Sequence, residues 1–564
     1  MIAVGKHGAI VHMRSKASNS GRFNRTERSW IIYDWANSAY ATIIMAAVFP
    51  IYFASVAAAG NAPGDVYWGY GSSIATFTVA IFAPVLGAIG DFKGMKKRLF
   101  AIFLLIGLVF TTTMALTDNW KLMLIGYVFS YIGYSGSLLF YDSFITDVTT
   151  PERMDKLSAW GYAMGYIGGS TIPFLIAISL ILFGESFGLD SSLAVKLSVL
   201  LCVVWWTVFS IPMLRDVKQV HFIEKPAKDL IKEAFRGIGH TVRQIISNRA
   251  MLVFMIAYFF YIDGVNTVIH MATVYGSSLG LGSQGMILAL LVTQIVAVPC
   301  SIAFSTLARK FGSIRMITIA IAIYFLICAT GFYMGFSLEP HQQKYEEGFV
   351  QSMQQTAGSF PVSDLSDADK TAWDEQWQDL LSQGKSVLAE TDSAAAFNDV
   401  IESARGESVL YSDEGKLIID DRLNAINVKI SEYLNDGAVS APYRNALSRS
   451  SMLFWAMAAL VGTVQGGIQA LSRSFFGKLV PPRRSNEFFG FFDIFGKFAA
   501  VMGPALYAFI AHATGRSSFG ILSLLLLFAI GLTVMAIGRK HLQEAERQSL
   551  SNHRPIEQLS EEEQ

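Results

Sequence analysis

Charge is what this chain is short of. Only 16% of its 564 residues are charged, too few to coat a soluble domain of that length, while 52% are hydrophobic and 41 are Phe. Cysteine is scarcer still. Cys202, Cys300 and Cys328 each fall inside an apolar segment, which excludes a disulfide framework or a metal cluster of familiar spacing. They read as small buried hydrophobes. Net charge is zero, which argues against a nucleic-acid partner. The opening stretch MIAVGKHGAIVHMRSKASNSGRFNRTER has no sustained apolar core before its basic residues, so it makes a poor signal peptide and reads as a cytosolic tail. Nucleotide motifs are missing too. GFFDIFGK at Gly490 has one residue too many for a phosphate loop and sits in an apolar run. GESFG at Gly184 lacks the strand-to-helix turn that a nucleophile elbow needs, and NRT at Asn24 falls in the cytosolic tail. No nucleophile–base constellation supports an enzyme, and no metal or cofactor site is expected. Energy for any work must come from a gradient or from the substrate.

Long apolar runs are what the chain has instead. A bilayer core takes roughly 20 apolar residues per helix. That ruler places spans near 30–54, 69–90, 98–117, 120–142, 158–183 and 193–214, then near 251–275, 284–307, 314–336, 451–471, 487–511 and 517–538. Lys and Arg crowd the first tail, DFKGMKKR, the 215–249 stretch, ARKFGSIR, SRSFFGKLVPPRRSNE and the last tail, whereas ASVAAAGNAPGDVYW and YGSSLGLGSQG carry none. By the positive-inside rule both termini face the cytosol. The expected domains are a tail (1–29), a six-helix half (30–214), a cytosolic linker (215–250), three spans (251–337), an extracytoplasmic insert (338–450), three spans (451–538) and a tail (539–564). The insert is polar and acidic, with apolar residues at helical spacing in DKTAWDEQWQDLLSQ and DDRLNAINVKISEYLND, so a small helical domain is predicted there.

The chain also repeats itself. GAIGDFKGMKKR follows the second span and STLARKFGSIR the eighth, with Gly94 and Gly312 218 residues apart. DSFITDVTTPER, from Asp142, matches RSFFGKLVPPRR, from Arg473, at an offset of 331. The offset grows by 113, about the size of the insert. The predicted fold is an all-α membrane protein of twelve transmembrane helices in two six-helix pseudo-repeats, the second interrupted between spans nine and ten.

This arrangement resembles the major facilitator superfamily. Gly87, Asp91, Gly94, Lys96 and Lys97 match that superfamily's signature loop, although after the eighth span only Gly312 and nearby basic residues remain and Arg309 stands where an acid is expected. YDWANSAYAT, DGVNTVI and GKFAAVMGP resemble its vacuole-effluxer branch, whose fungal members are associated with amino-acid export from the vacuole. The resemblance implies a multi-pass secondary transporter in a bilayer, with a small-molecule substrate; a coupling proton is a further expected partner, argued from Asp263 below. Amino acids are favoured over a drug, sugar or peptide, and a bacterial inner membrane over a vacuolar one. The rival reading is a non-transporting receptor or assembly protein whose outer insert binds a protein partner.

Polar residues inside spans are the candidates for the transport pathway, because each costs several kcal/mol unless it faces a cavity or a partner. Asp34, Asn37 and Tyr40 share one face of the first span, a face that either lines a cavity or caps and pairs at the interface. The seventh span repeats the acid–amide spacing as Asp263 and Asn266, with His270 one turn on. Asp263, near the middle of its span, suits a cavity-lining proton carrier. In the eleventh, Asp493 and Lys497 either pair at i and i+4, or Lys497 binds a substrate carboxylate, where an aspartate on the opposite half would complete a site for a zwitterion. Gln294 and Gln465 are polar ligands or helix–helix hydrogen bonders. By the resemblance, Gly87, Asp91, Gly94, Lys96 and Lys97 form a cytosolic gate, with Asp142, Asp147, Arg153 and Arg473 as candidates for the same latch. Gly161, Gly165 and Gly168 make a small-residue face for close helix packing.

Overall fold

The chain enters its first helix through a capping box. Asn24 Oδ1 accepts the Glu27 backbone N–H at 2.7 Å, and Glu27 Oε2 accepts that of Asn24 at 2.9 Å. The computed structural model describes residues 22–60, 62, 64–224, 230–357 and 437–551, with short pieces at 410–411, 417–418 and 428–430. Among these, twelve segments are long and apolar enough to cross a membrane. The first is Arg25–Ala47, bent by 41° into Phe49–Ala59. The others are Tyr67–Gly90, Met95–Ala115, Trp120–Val148, Pro151–Phe183, Ser191–Asp216, Arg249–Ser278, Leu288–Phe311, Ser313–Ser352, Ser440–Leu479, Pro482–Thr514 and Ser517–Ser551.

The bend in the first span has a local cause. Its helix widens to π-type winding over Ala41–Ala47, and Pro50 then opens the continuation. The fifth span widens likewise over Gly165–Thr171, where it packs on the first. Glycines permit that approach: a Cβ at Gly165 would lie 2.7 Å from Ser38 Oγ, and one at Gly168 would overlap the Trp35 ring. The expected small-residue face is thus in use. Ile74, Phe77 and Ile81 recur on the exposed side of the second span, the pattern of a helix turned towards lipid.

Helices nine and ten continue beyond the ends read from hydropathy. The ninth runs unbroken over Ser313–Ala357 and the tenth over Gly437–Leu479. At 1.5 Å per residue the ninth is about 67 Å long, twice a bilayer core. Tyr345 and Tyr443 stack with ring centroids 4.9 Å apart, so the two helices meet beyond the membrane segment. Between them, Leu410–Tyr411 pairs antiparallel with Leu417–Ile418. Most of the helical domain expected at 338–450 lies outside the described residues.

The first six spans pack largely on one another and so do the last six. The second touches the eleventh, the fifth touches the eighth and tenth, and the fourth touches the eleventh. A helix at Leu230–Ser247 joins the two sets and lies against the second and seventh spans. The end of the bundle that carries Lys93, Lys96, Lys310, Arg483 and this helix is called the basic end below.

Candidate functional site

Arg473 reaches out of the tenth span near the basic end, its side chain only 4% exposed. Its Nη2 donates to Asp34 Oδ2 at 3.1 Å in the first span, and its Nη1 to Asp142 Oδ1 at 2.9 Å in the fourth. Its Nε donates to Ser158 Oγ at 2.9 Å and its Nη2 to the Ser158 carbonyl at 3.2 Å in the fifth. Trp30 and Tyr162 turn ring faces to the guanidinium, with centroids 4.7 and 4.5 Å away. A buried charge survives only when paired this fully, and the planar fork of arginine can serve several acceptors at once. Gly161 leaves the room, since a Cβ there would fall 2.3 Å from Asp34 Oδ2. One cation of the last six spans is therefore shared by three of the first six.

A cavity of about 180 Å³ opens beside this cluster, walled by Asp142, Tyr162, Tyr258, Asn266, Gln469 and Asp493 among others. Its wall draws on the fourth, fifth, seventh, tenth and eleventh spans, so it lies between the two sets of six. Lys497 Nζ binds both oxygens of Asp493, at 2.5 and 2.6 Å. The i, i+4 pair read from sequence thus forms, and it places an ion pair at the cavity wall. In and around the cavity, three carboxylates (Asp34, Asp142, Asp493) face two cations (Arg473, Lys497).

Towards the basic end the signature loop locks onto the eleventh helix. Asp91 accepts the Asn486 backbone N–H at 2.9 Å, the Asn486 amide at 2.8 Å and the Glu487 N–H at 3.1 Å. Those N–H groups belong to the first turn of the helix Ser485–Thr514, which lacks a side-chain cap of its own. A carboxylate from the other set of spans supplies it. Burial pushes the Asp91 carboxyl up to about 7, although Lys96 and the Asn486 and Glu487 donors favour its charged form. Gly87 is required by proximity: its Cβ would lie 2.3 Å from the Asn486 carbonyl oxygen, a backbone atom. Gly94 is required by its turn, at φ 75°.

Lys96 is wholly buried and donates to Asp147 Oδ2 at 2.7 Å, the Ser143 carbonyl at 3.1 Å and Ser485 Oγ at 3.0 Å. Ser143 in turn donates to Asn486 Oδ1. Asp147 Oδ1 accepts the backbone N–H groups of Val220 and His221 at 2.9 and 2.7 Å, which ties the stretch after the sixth span to the partner of Lys96. Lys97 donates to the Val217 carbonyl at 2.7 Å, again to the linker. Arg153 does not join these groups. It forks onto Glu27 at 2.7 and 2.8 Å, a contact within the first six spans.

Asp155 was not singled out by the sequence reading, yet it forms the counterpart of the Asp91 latch. It accepts Ser474 Oγ at 2.6 Å, Lys478 Nζ at 2.6 Å and Ser313 Oγ at 2.8 Å, joining the fifth span to the ninth and tenth. A signal was present: Asp155 and Asn486 stand at the same 331-residue offset as Asp142 and Arg473. Ser158, Tyr162, Tyr258 and Gln469 gave none, being unremarkable residues that only packing brings to the cavity.

The remaining candidates scatter. Asn37 is buried, its Nδ2 without a hydrogen-bond partner. Tyr40 sits in the core of the first six spans, stacked on Tyr134 at 4.5 Å and bonded by Ser130 at 2.8 Å. Asp263 faces the eleventh span, where its Oδ1 accepts the Gly503 N–H at 2.8 Å just before Pro504 breaks the helical ladder. Its Oδ2 has no partner. Asn266 reaches the charged cavity, whereas His270 lines neither that cavity nor the apolar one that holds Gln294 and Gln465.

Twelve apolar helices around a charged central cavity, latched at one end, define a transporter of the major facilitator type. The crystal structure of the human organic anion transporter MFSD10 (TETRAN) shares the fold, with a TM-score of 0.53 over 91% of this chain and 99% of that one, at 11% identity. The profile described as vacuole effluxer Atg22 like matches residues 65–351 and 447–546, and the chain belongs to that family. The span it leaves out, 352–446, falls within the expected insert. A Bacillus subtilis (strain 168) protein described as an uncharacterized MFS-type transporter, YxiO, is 36% identical over 522 residues, covering 91% of this chain and 95% of that one. Autophagy-related protein 22 of Cryptococcus neoformans var. neoformans serotype D (strain B-3501A) is 22% identical over 401 residues, 70% of this chain and 54% of that protein. The chain is an integral, multi-pass membrane protein of a transporter family.

Proposed function

We propose that this chain is a secondary transporter that carries an amino acid across its membrane by alternating access. Arg473 carries the reading. Among the described residues it is the one guanidinium at the cavity between the two sets of spans, and it joins them through Asp34 and Asp142. A zwitterion suits the wall, with its carboxylate on Arg473 and its ammonium on Asp493 or Asp142. A substrate carboxylate then competes with Asp34 and Asp142 for the same guanidinium. Binding thereby weakens the contact that keeps the basic end shut, which is how occupancy biases a two-state carrier. The family's description as a vacuole effluxer supports a small exported solute.

Two six-span halves, the second interrupted by the insert, are the moving bodies in this reading. The basic end faces the cytosol, and the polar contacts between halves gather there, so the conformation is closed inward. The membrane is the plasma membrane of a bacterium, in keeping with the Bacillus relative. Three carboxylates facing two cations leave the site one positive charge short when a neutral zwitterion binds, which favours a coupling proton. Asp263, buried in the seventh span, is the carrier for it.

The test is uptake of a labelled amino-acid panel into proteoliposomes, with and without an imposed pH gradient. Wild type is compared with Arg473→Gln and Asp263→Asn. Gradient-dependent flux of one amino acid, lost in Arg473→Gln, is expected. Flux of no amino acid in wild type would overturn the substrate class, and flux unchanged in Arg473→Gln would overturn the role of the arginine.

A further inference from the structure

A second cavity, of about 120 Å³, lies within the packing of the seventh, eighth, ninth, tenth and twelfth spans. It begins one helical turn from the charged cavity. Ile269 on its wall follows Asn266 by three residues, and Gln465 precedes Gln469 by four. The wall is apolar and pliant, with Met271, Met286, Met457, Phe454, Ile327 and Leu524 among its residues. Two polar groups that reach it are already engaged. The Tyr275 hydroxyl donates to the Gly331 carbonyl at 2.7 Å, and Thr293 donates to the Ala289 and Ala458 carbonyls at 3.1 and 2.9 Å.

Gln294 differs. Its Oε1 is buried and has no hydrogen-bond partner. An acceptor left in that condition costs roughly 1–3 kcal/mol, so a donor that reached it would be welcome. Water is a poor occupant, because a buried water needs about three polar partners and most of this wall has none to give. An apolar cavity of roughly 150 Å³ takes up a single aromatic ring, and the flexible methionines here give this one comparable reach.

We propose that this cavity is a second ligand site, separate from the charged one, for a compact molecule of one aromatic ring bearing a single O–H or N–H donor. The donor is held on Gln294 Oε1 and the ring on the methionine and Phe454 wall. An occupant is enclosed by spans of the last six alone and leaves the charged cavity free.

Phenol and benzene are the probes, and ligand-observed NMR on the purified full chain is the measurement. Wild type should bind phenol saturably and more tightly than benzene. Gln294→Leu should weaken phenol about 3- to 10-fold, leave benzene unchanged and so erase the preference. Ala458→Phe, which fills the cavity, should abolish both. Phenol binding equal in all three proteins would mark partition into detergent and overturn the site. Should Ala458→Phe not fold, the phenol-to-benzene ratio in Gln294→Leu still decides. This binding needs no transport, so it stands or falls apart from the substrate assignment. In proteoliposomes, phenol should leave the half-saturating solute concentration unchanged; competition with the solute would overturn the separateness of the two sites.

Discussion

Replacing Arg473 by Met removes one guanidinium and strands two carboxylates. Asp34 is then buried and Asp142 half-buried without a counter-ion so long as the basic end stays shut, and both can be hydrated once it opens. Breaking a buried ion pair by deleting one partner costs roughly 3–5 kcal/mol. The penalty falls on the closed state, because Arg473 belongs to one set of spans and its acceptors to the other. At 1.4 kcal/mol per factor of ten, the closed-to-open ratio should fall by roughly two to three and a half powers of ten. Spin labels at Arg98→Cys and Arg483→Cys, both exposed at the basic end on opposite sets of spans, report that ratio as a distance distribution. Cys300 is replaced by Ala to silence it, since Cys202 and Cys328 are buried. Arg473→Met should move most of the distribution to longer distances. Adding Asp34→Asn and Asp142→Asn removes the stranded charges and should restore much of the short-distance population. An unchanged distribution in the single variant, or no recovery in the triple one, would refute Arg473 as the bond between the halves.

The same label pair tests the rest of the latch. Gly87→Val places side-chain atoms where the Asn486 carbonyl stands, a Cβ alone falling 2.3 Å from it, so the short-distance population should vanish while the helical content by circular dichroism is kept. The Asp91 carboxyl, with a value of about 7 when packed against an ordinary value near 4, holds its proton more tightly closed than open. Closure is then most favoured at low pH and loses support as pH rises through about 7, so the closed-to-open ratio should rise about tenfold from pH 8 to pH 6. Asp91→Asn should flatten that dependence, and a ratio that moves the other way with pH would remove Asp91 as its source.

Much of this protein was written in one dimension. Spans of apolar residues set helix number because a bilayer allows a chain few other ways to satisfy its backbone. The signature glycines were legible because their reasons are local: Gly94 needs its turn, and Gly87 must admit another backbone. The pairing of Asp493 with Lys497 was legible for the same reason, one turn of helix being enough to join them. Tertiary structure decided the partners. Asp34, read as a pathway residue, and Arg473, read as a gate residue, meet as one cluster although 439 residues separate them. Arg153, grouped with the latch by its place in the chain, turns to Glu27 instead, and Asp263 turns to the eleventh span. Asp155 became a latch only when Ser313, Ser474 and Lys478 closed around it. A sequence states which side chains are too costly to leave alone in a membrane; which partner relieves each cost depends on how the helices pack, and that is set by the summed contacts of the whole bundle.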